Sequence, residues 1–514
     1  MSTQQTTQSS YDQVPYPSLP IRRTHPDQIA SVASLFGLRT PLPEHCRVLE
    51  IGCADGANLI PMALSLPDSQ FLGIDLSSAQ VVQGQNLIDH LGVKNVTLRH
   101  QDVMAFGVDD GLFDYIIVYG VFSWVPPEVQ ERILEICERQ LSPNGVAFIS
   151  YNTLPGWHMR GAVRQMMAFH TRQFPDAQTR ISQARALLHF LSEAAPKIGK
   201  DAEQQAYSLM LESEQKRMAK QSDSYMLHEH LEEYNEPLYF HEFAERLEPH
   251  HLQYLAEVEI STMVSNSLPQ DVAQTVGRLG SDVIATEQYL DFVRNRMFRQ
   301  SLLCNKGIAL ERSWGIELLY GKYLASQMTP LSEKPSIISN EVERFKAPTG
   351  TVVSSSNPIN KAAICYLGEI WPNAVRFGEL LDESRAQAHS TTAIESDAQI
   401  LGDTLLKSLA VDLIEIQLNA PRFTTEISSC PRVSALVRWQ AVHDERVTNQ
   451  RHEAIEVDGL MRAILTKLDG SHGRSELIQE LSSLLQPENG DGATAESVLE
   501  SELHDIARAA LLLA

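Results

Sequence analysis

Three acidic residues stand where predicted strands of the chain end. Glu50 closes an apolar run and precedes the glycine-containing loop 52–56. Asp75 ends a second apolar run, and Asp102 directly follows a third. A carboxylate at the second position can accept hydrogen bonds from both hydroxyls of a ribose, and one at the third can accept from an adenine amino group. Glycine lets a ligand approach bare backbone, and the following helix aims its amino terminus at that ligand. The spacing predicts an adenosine-containing ligand.

The charge around the loop separates two classes of ligand. Glu50 lies near the place where a dinucleotide would put its pyrophosphate, and Asp55 adds a second carboxylate within the loop. Two carboxylates are unfavourable for a phosphate and suit a ligand that carries positive charge. S-Adenosylmethionine has a sulfonium and an amino acid end, and no phosphate. The residues therefore favour S-adenosylmethionine over NAD as the cofactor.

Aromatic residues after the fourth and fifth predicted strands would form the wall of an acceptor site. If the ligand is S-adenosylmethionine, methyl transfer from its sulfonium is an in-line displacement, which requires an aligned neutral nucleophile and the exclusion of water rather than a metal. Aromatic faces can hold an alkylammonium through cation–π contacts, and Asn152 could orient the amine. Two or three of the five are expected to touch substrate, with Tyr119 and Trp124 as the leading candidates because they leave the sheet directly beside the cofactor. The alternative is that most of these aromatics are ordinary core. The five aromatics are Tyr119, Phe122, Trp124, Tyr151 and Trp157.

A parallel sheet would bring these residues together. Apolar runs bounded by turn residues predict five strands, at 47–51, 71–75, 96–100, 113–119 and 146–151. Helical periodicity separates them, notably over 77–90 and 126–141. Strands that alternate with helices form an α/β fold whose ligands bind at the carboxyl ends of the parallel strands. Two further runs, 252–260 and 297–304, are predicted to close the sheet as an antiparallel pair.

A chain of 514 residues is too long for one ordinary core, so several domains are expected. We predict an N-terminal arm or lid over residues 1–45, a cofactor-binding core over 46–160 and a helical insertion that completes the sheet over 161–330. A linker is predicted over 331–357. It is followed by a winged-helix-like domain of three helices and a hairpin over 358–428 and by a C-terminal helical domain over 429–514. The arm either packs on the core or closes over the cofactor with Tyr11 or Tyr16.

The formal net charge of -23 disfavours a nucleic-acid substrate, since binding to phosphates needs a cationic face. The six cysteines are scattered, with neither a CxxC pair nor metal-ligand spacing, which is typical of reduced thiols in the cytoplasm. The first residues lack a secretion signal, and no stretch approaches the roughly 18 apolar residues of a membrane span. A cytoplasmic protein without a metal or a membrane contact is expected.

The ordered set of Glu50, the loop, Asp75 and Asp102, followed by Phe113-Asp114-Tyr115-Ile116, resembles the class I S-adenosylmethionine-dependent methyltransferases. The resemblance implies a Rossmann-like sheet. It assigns the loop to the methionine moiety, Asp75 to the ribose, and Asp102 with its neighbour to the adenine. Cys53 is interpreted as a small packing residue of the loop. The implied cofactor contacts are Glu50, Gly52, Cys53, Ala54, Gly56, Asn58, Asp75, Leu76, Asp102, Val103, Tyr119 and Tyr16.

A narrower resemblance extends over nearly the whole chain. The segments 51–61, 120–126, 237–243 and 447–453 look like those of one bacterial family, the group with a methyltransferase regulatory domain and a C-terminal winged-helix domain. That family includes rickettsial protein-lysine methyltransferases. It implies a protein-lysine N-methyltransferase, with a protein as partner and with catalytic residues drawn from Tyr119, Trp124 and Asn152.

Other acceptors and roles are weighed against lysine. Enzymes that methylate base amines or glutamine amides have an Asn/Asp-Pro-Pro-Tyr motif after the fourth strand, where this chain has Tyr119-Gly120-Val121-Phe122. Base and amide acceptors are therefore disfavoured. Two alternatives stay open, namely methylation of a small metabolite or natural product and a non-catalytic cofactor-binding scaffold. Given the net charge, the winged-helix part is interpreted as a module that binds protein or forms a homodimer, rather than one that binds DNA.

Overall fold

The computed structural model describes residues 18–265, 268–484 and 494–514, without the side chains of 483 and 484. Its centre is a seven-stranded sheet with the strand order β3-β2-β1-β4-β5-β7-β6. The strands are β1 Arg47–Ile51, β2 Gln70–Asp75, β3 Val96–His100, β4 Phe113–Val118, β5 Leu141–Asn152, β6 Leu252–Glu257 and β7 Phe298–Asn305. The first five run parallel. The predicted Rossmann-like sheet is confirmed.

The last two strands close the sheet as predicted. β7 pairs antiparallel with β5, and β6 pairs antiparallel with β7. Neighbouring residues of the strands lie in separate cores on the two faces of the sheet, as Val48 and Leu49 do in β1. Because both faces are covered, the strands read as continuous apolar runs rather than as alternating ones.

Helices cover the sheet and position its loops. The helix Ser78–Leu91 begins after Ser77, whose hydroxyl accepts from the backbone N–H of Gln80, and ends at Gly92 in the left-handed conformation. Gly84 allows this helix to lie against the loop, since a Cβ there would stand 2.2 Å from the carbonyl oxygen of Asp55. The four helices of the core are α1 Pro26–Leu35, α2 Leu59–Ser65, α3 Ser78–Leu91 and α4 Pro127–Gln140.

The middle region is helical, and its first four helices share an apolar core of their own. Its helices are α5 Trp157–Thr171, α6 Ala177–Ile198, α7 Ala202–Met218, α8 Asp223–His230, α9 Phe240–Leu247, α10 Gln270–Leu279 and α11 Val283–Arg294. A buried ion cluster ties α11 to the added strands. The Arg299 guanidinium donates to Glu257 Oε1 at 2.8 Å and to Asp291 Oδ1 and Oδ2 at 2.8 Å each. It also reaches Glu287 Oε2 at 3.1 Å.

The stretch 331–357, predicted to be a linker, is folded. It supplies two of the three strands of a small antiparallel sheet in the order β11-β10-β9. Phe345 of this sheet is fully buried. The buried Lys361 ammonium donates to the carbonyl oxygens of Ser336, Ser339 and Glu341, so three backbone acceptors of the serine-rich loop between the strands are satisfied. Four short strands precede the next helix: β8 Tyr323–Ala325, β9 Thr329–Pro330, β10 Glu343–Lys346 and β11 Val352–Ser355.

The last third of the chain contains the three helices predicted over 358–413. They are α12 Pro358–Ile370, α13 Phe377–Gln387 and α14 Ile394–Leu409, accompanied by β12 Val375–Arg376 and β13 Glu415–Gln417. The hairpin predicted after them does not form, because β12 and β13 both pair antiparallel with β8. A hairpin forms further on, between β14 and β15. The remaining elements are α15 Ala435–His443, β14 Arg446–Thr448, β15 Ala454–Glu456, α16 Gly459–Leu465, α17 Arg474–Leu484 and α18 Ala495–Arg508.

Within the described ranges, no helix combines the length and the apolar character that a membrane crossing requires.

Candidate functional site

The loop after β1 turns sharply at two glycines. Gly52 has φ +79° and Gly56 has φ +74°, a conformation that other residues rarely adopt. A Cβ on Gly52 would lie 2.4 Å from Cγ2 of Val121, so the position has no room for a side chain. The backbone N–H groups of Gly52 and Cys53 both donate to the carbonyl oxygen of Ile74, at 2.9 and 3.2 Å. The loop is thereby fixed to the end of β2.

Asp75 holds the loop and the start of α3 together. Its Oδ2 accepts from the backbone N–H of Ala54 at 2.8 Å, and its Oδ1 accepts from that of Ser77 at 2.8 Å. Both bonds fix the orientation of a carboxylate that remains half-buried at the edge of the sheet. Leu76 beside it is 63% exposed. A fixed acceptor next to an exposed apolar side chain suits the ribose and adenine of a nucleoside.

Glu50 is a buried carboxylate with one unused oxygen. Its Oε1 accepts from Asn58 Nδ2 at 2.8 Å, whereas the buried Oε2 has no hydrogen-bond partner in the described chain. Burial raises the pKa of Glu50 to about 8, the bond from Asn58 opposes this, and the charges of Asp75 and Asp55 add to it. A buried acceptor without a partner is costly unless a ligand completes it. The positively charged amino group of the predicted cofactor fits this oxygen.

Asn58 is occupied by protein groups on both sides of its amide. Its Nδ2 donates to Glu50 and also to Thr24 Oγ1 at 2.9 Å. Its Oδ1 accepts from the backbone N–H of Ile21 at 2.9 Å and lies 2.8 Å from Nε2 of His452. The side chain was predicted to contact the cofactor, and in the structure its polar atoms are bonded to four protein residues.

The third strand ends at an exposed carboxylate. Oδ1 of Asp102 accepts from the backbone N–H of Met104 at 2.9 Å and caps the short 3-10 helix Val103–Ala105. This bond fixes the side chain at the rim of the sheet. Asp102 therefore lies on the same edge as Glu50 and Asp75, since these two stand at the carboxyl ends of β1 and β2 and Asp102 lies two residues beyond β3.

Cys53 packs under the loop. A Cβ added to Gly73 of β2 would lie 2.6 Å from its sulfur, which shows how closely the thiol approaches that strand. Burial raises the pKa of the Cys53 thiol well above its ordinary value. The thiol stays protonated at neutral pH and is no nucleophile. The backbone of Cys53 is the part that shapes the loop.

The aromatic residues divide into two groups. Phe122, Tyr151 and Trp157 are buried in the core, whereas Tyr119 and Trp124 are only partly buried. The ring of Tyr119 lies edge-on to Phe298 at 6.4 Å, and Trp124 lies edge-on to Trp157 at 6.2 Å. Burial raises the pKa of the Tyr119 phenol, so the hydroxyl is protonated at neutral pH. Tyr119 and Trp124, the two partly open aromatics, are also the leading candidates for substrate contact predicted from the sequence.

Asn152 is the last residue of β5 and stands opposite Phe298 of β7, whose ring contacts Tyr119. Its backbone N–H donates to Ser123 Oγ at 2.9 Å, which links β5 to the turn that carries Trp124. The side chain is 4% exposed, and its buried Nδ2 has no hydrogen-bond partner among the described residues. An unpaired amide next to partly open aromatic faces can orient a bound polar group.

Several residues of the site were not predicted from the sequence. Thr24 and His452 both contact Asn58, although His452 is 394 residues away along the chain. Phe298 reaches Tyr119 from β7, a strand that the sequence used only to close the sheet. Local patterns carry no signal for such contacts. Tyr11 and Tyr16, predicted as lid residues, lie outside the described residues.

In the parts of the chain that the structure describes, no group of three or more His, Cys, Asp and Glu side chains is arranged to hold a metal ion.

Three family models match the sequence. The model described as "Methyltransferase domain" matches residues 48–145, and the "Predicted methyltransferase regulatory domain" matches 222–305. The model "PKMT, C-terminal winged helix domain" matches residues 430–511. The last match falls on the region that we expected to be a C-terminal helical domain, whereas we expected the winged-helix-like domain over 358–428.

Relatives match over most of the chain. The uncharacterized protein RP789 of Rickettsia prowazekii is 34% identical over 480 residues, which cover 92% of this chain and 85% of RP789. RP028 of the same organism is 41% identical over 241 residues, which cover 47% of this chain and 94% of RP028. The structure of PKMT2 from Rickettsia typhi has a TM-score of 0.87 and 30% identity, and covers 97% of this chain and 100% of PKMT2. The same protein in complex with AdoHcy has a TM-score of 0.87 and 31% identity.

Proposed function

This chain belongs to the bacterial family of methyltransferases with a methyltransferase regulatory domain, and we propose that it methylates lysine side chains of a protein. It is an S-adenosylmethionine-dependent methyltransferase. The observation that carries the lysine assignment is the likeness to PKMT2 over 97% of this chain and 100% of PKMT2, with the winged-helix domain included. A likeness confined to the core would have left the acceptor open, because that fold serves many acceptors.

The cofactor site in this proposal is the edge formed by β1, β2 and β3. Glu50 Oε2 accepts from the amino group of the methionine moiety, with the backbone of Gly52, Ala54 and Gly56 beside it. Asp75 takes the ribose hydroxyls and Leu76 packs on the adenine, whose amino group faces Asp102 and Val103. When bound, S-adenosylmethionine supplies an electrophilic methyl group on a sulfonium. The unpaired buried oxygen of Glu50 supports this assignment.

The acceptor site is the wall of Tyr119, Trp124 and Asn152. The two partly open aromatic faces bind the alkyl chain and ammonium of a lysine. The Tyr119 hydroxyl stays protonated because burial raises its pKa, so it positions the amine as a hydrogen-bond partner rather than removing its proton. The Asn152 side chain, whose buried Nδ2 lacks a partner among the described residues, orients the amine, which gives its proton to solvent before its lone pair attacks the methyl group. Alignment and exclusion of water then carry the catalysis.

Incubation with a cell extract separates lysine methylation from its alternatives. The purified protein is supplied with S-adenosylmethionine that carries a labelled methyl group, and the extract is divided into protein and small-molecule fractions. The proposal expects label in the protein fraction, with an Asp75→Ala variant as the inactive control. Label confined to small molecules would refute the lysine assignment in favour of metabolite methylation. Cofactor binding without transfer to either fraction would indicate a scaffold.

The proposed partner is a protein rather than a nucleic acid or a membrane, and the proposed location is the cytoplasm. The net charge of -23 opposes binding to phosphates. All six cysteines are free thiols, which suits a reducing compartment. The winged-helix domain is proposed to bind protein or a second copy of the chain. Light scattering of the purified protein with and without its substrate would separate these two roles.

A further inference from the structure

The turn 449–453 of the C-terminal domain reaches into the cofactor-binding core. His452 in this turn is 5% exposed and lies 2.8 Å, by its Nε2, from Oδ1 of Asn58. Its backbone is left-handed, with φ +60°, which is uncommon for a residue other than glycine. The histidine is thus buried in an unusual backbone conformation at a contact with the core.

The hydrogen-bond network fixes the orientation of the Asn58 amide. The backbone N–H of Ile21 can only donate, so the atom that faces it must be the amide oxygen. The Nδ2 group then faces Glu50 Oε1 and Thr24 Oγ1. Burial, together with His25 and Arg22 nearby, lowers the pKa of His452 well below its ordinary value. His452 is therefore neutral, and its single N–H is on Nε2, where it donates to Asn58.

We propose that His452 is a positioning residue of the cofactor site, through which the C-terminal winged-helix domain completes that site. By donating to Asn58 Oδ1 it keeps the Asn58 Nδ2 group on Glu50 Oε1. Because Oε1 is bonded to Asn58, Oε2 of Glu50 is the oxygen that accepts from the amino group of the cofactor. The inference rests on the cofactor role proposed for Glu50.

The surroundings of His452 hold the turn in place. Nη2 of Arg451 donates to Glu415 Oε2 at 2.7 Å, and its guanidinium lies 4.2 Å from the centre of the Trp371 ring. Arg22 joins the same cluster, at 2.6 Å from Glu415 Oε2 and 3.2 Å from Glu453 Oε1. The turn therefore packs on the segment 21–25, which also contacts Asn58 through its residues Ile21 and Thr24.

A merely packed side chain does not account for this arrangement. An apolar residue would fill the space without the cost of removing an imidazole from water. The histidine instead makes one directed bond to the residue that holds Glu50. Cofactor affinity should consequently depend on a domain that lies outside the sequence region of the methyltransferase model, 48–145.

Isothermal titration calorimetry with AdoHcy tests the inference on the full chain. We expect His452→Ala to weaken AdoHcy binding by about tenfold, the loss of one buried hydrogen bond. His452→Gln keeps an N–H donor and should restore part of the affinity. The matched control is His443→Ala, because His443 is an exposed histidine of the same domain that stacks on Trp439 and should leave affinity unchanged. Circular dichroism checks that each variant is folded.

A double-mutant comparison separates positioning from general loss of structure. If His452 acts through Asn58, then His452→Ala should cost nothing further in an Asn58→Ala background. Equal losses in both backgrounds, or wild-type affinity of His452→Ala, would overturn the inference. Glu50→Gln with unchanged affinity would instead refute the cofactor role of Glu50, so the two failures are distinguishable.

Discussion

Replacing Glu50 by glutamine should remove a pH dependence of cofactor binding. Burial raises the pKa of Glu50 to about 8, so the carboxyl of the free protein is mostly protonated below that pH. A cationic amino group binds the ionised form and lowers this pKa, hence binding releases a proton and affinity increases as pH rises towards 8. The ionised fraction is about 1% at pH 6 and about half at pH 8, which allows a gain of up to about 50-fold.

Calorimetric titration with AdoHcy between pH 6 and pH 8 measures this gain, and buffers of different ionisation enthalpy report the released proton. Glu50→Gln should bind more weakly at pH 8, with an affinity that is nearly constant over the same interval. Glu193→Gln, an exposed position on α6, is the isosteric control and should follow the wild type. If wild type and Glu50→Gln show the same pH dependence, the assignment of Glu50 to the amino group of the cofactor is refuted.

Three further substitutions address other parts of the account. Asp75→Ala removes the acceptor of the Ala54 and Ser77 N–H groups and the proposed partner of the ribose. AdoHcy affinity measured by calorimetry should therefore fall by at least about 100-fold. Unchanged affinity would exclude Asp75 as a cofactor-binding residue. Tyr119→Phe should lower kcat by about tenfold with little change in cofactor affinity, and parallel changes in both would place the hydroxyl at the cofactor instead. Arg299→Met removes the nearer of two guanidinium groups that face three buried carboxylates and leaves them Arg296 at 3.4 to 3.9 Å, so urea denaturation should show a loss of at least about 3 kcal/mol. A change below about 1 kcal/mol would contradict the charge compensation inferred there.

The edge of the sheet that carries the site could be predicted from the sequence. Glu50, Asp75 and Asp102 each follow an apolar run, and parallel strands bring their carboxyl ends to one edge. These strands are easy to recognise in the sequence as continuous apolar runs, because both faces of the sheet are buried. Tyr119 directly follows β4 and Trp124 lies five residues further on, but Phe122 between them is fully buried, so position after β4 does not predict which of these aromatics stay partly open.

The parts that could not be predicted depend on contacts between distant segments. Asn58 was expected to touch the cofactor, and nothing near it in the sequence indicates that His452 and Ile21 occupy its oxygen. The region 331–357 has the polar composition of a linker, and its fold depends on Lys361, a residue outside that stretch. Periodicity reports the burial of a local element, whereas these features need the complete fold.

The central claim is transfer of a methyl group to protein lysine, and peptide mass spectrometry tests it most directly. The protein is incubated with an extract and S-adenosylmethionine that carries a deuterated methyl group, and the digested proteins are searched for the heavy label. We expect labelled Nε-methyl groups on lysines of one or a few proteins. The same label should be absent from the sample treated with the Asp75→Ala variant. Labelled methyl groups found only on other residue types, or only on small molecules, would contradict it.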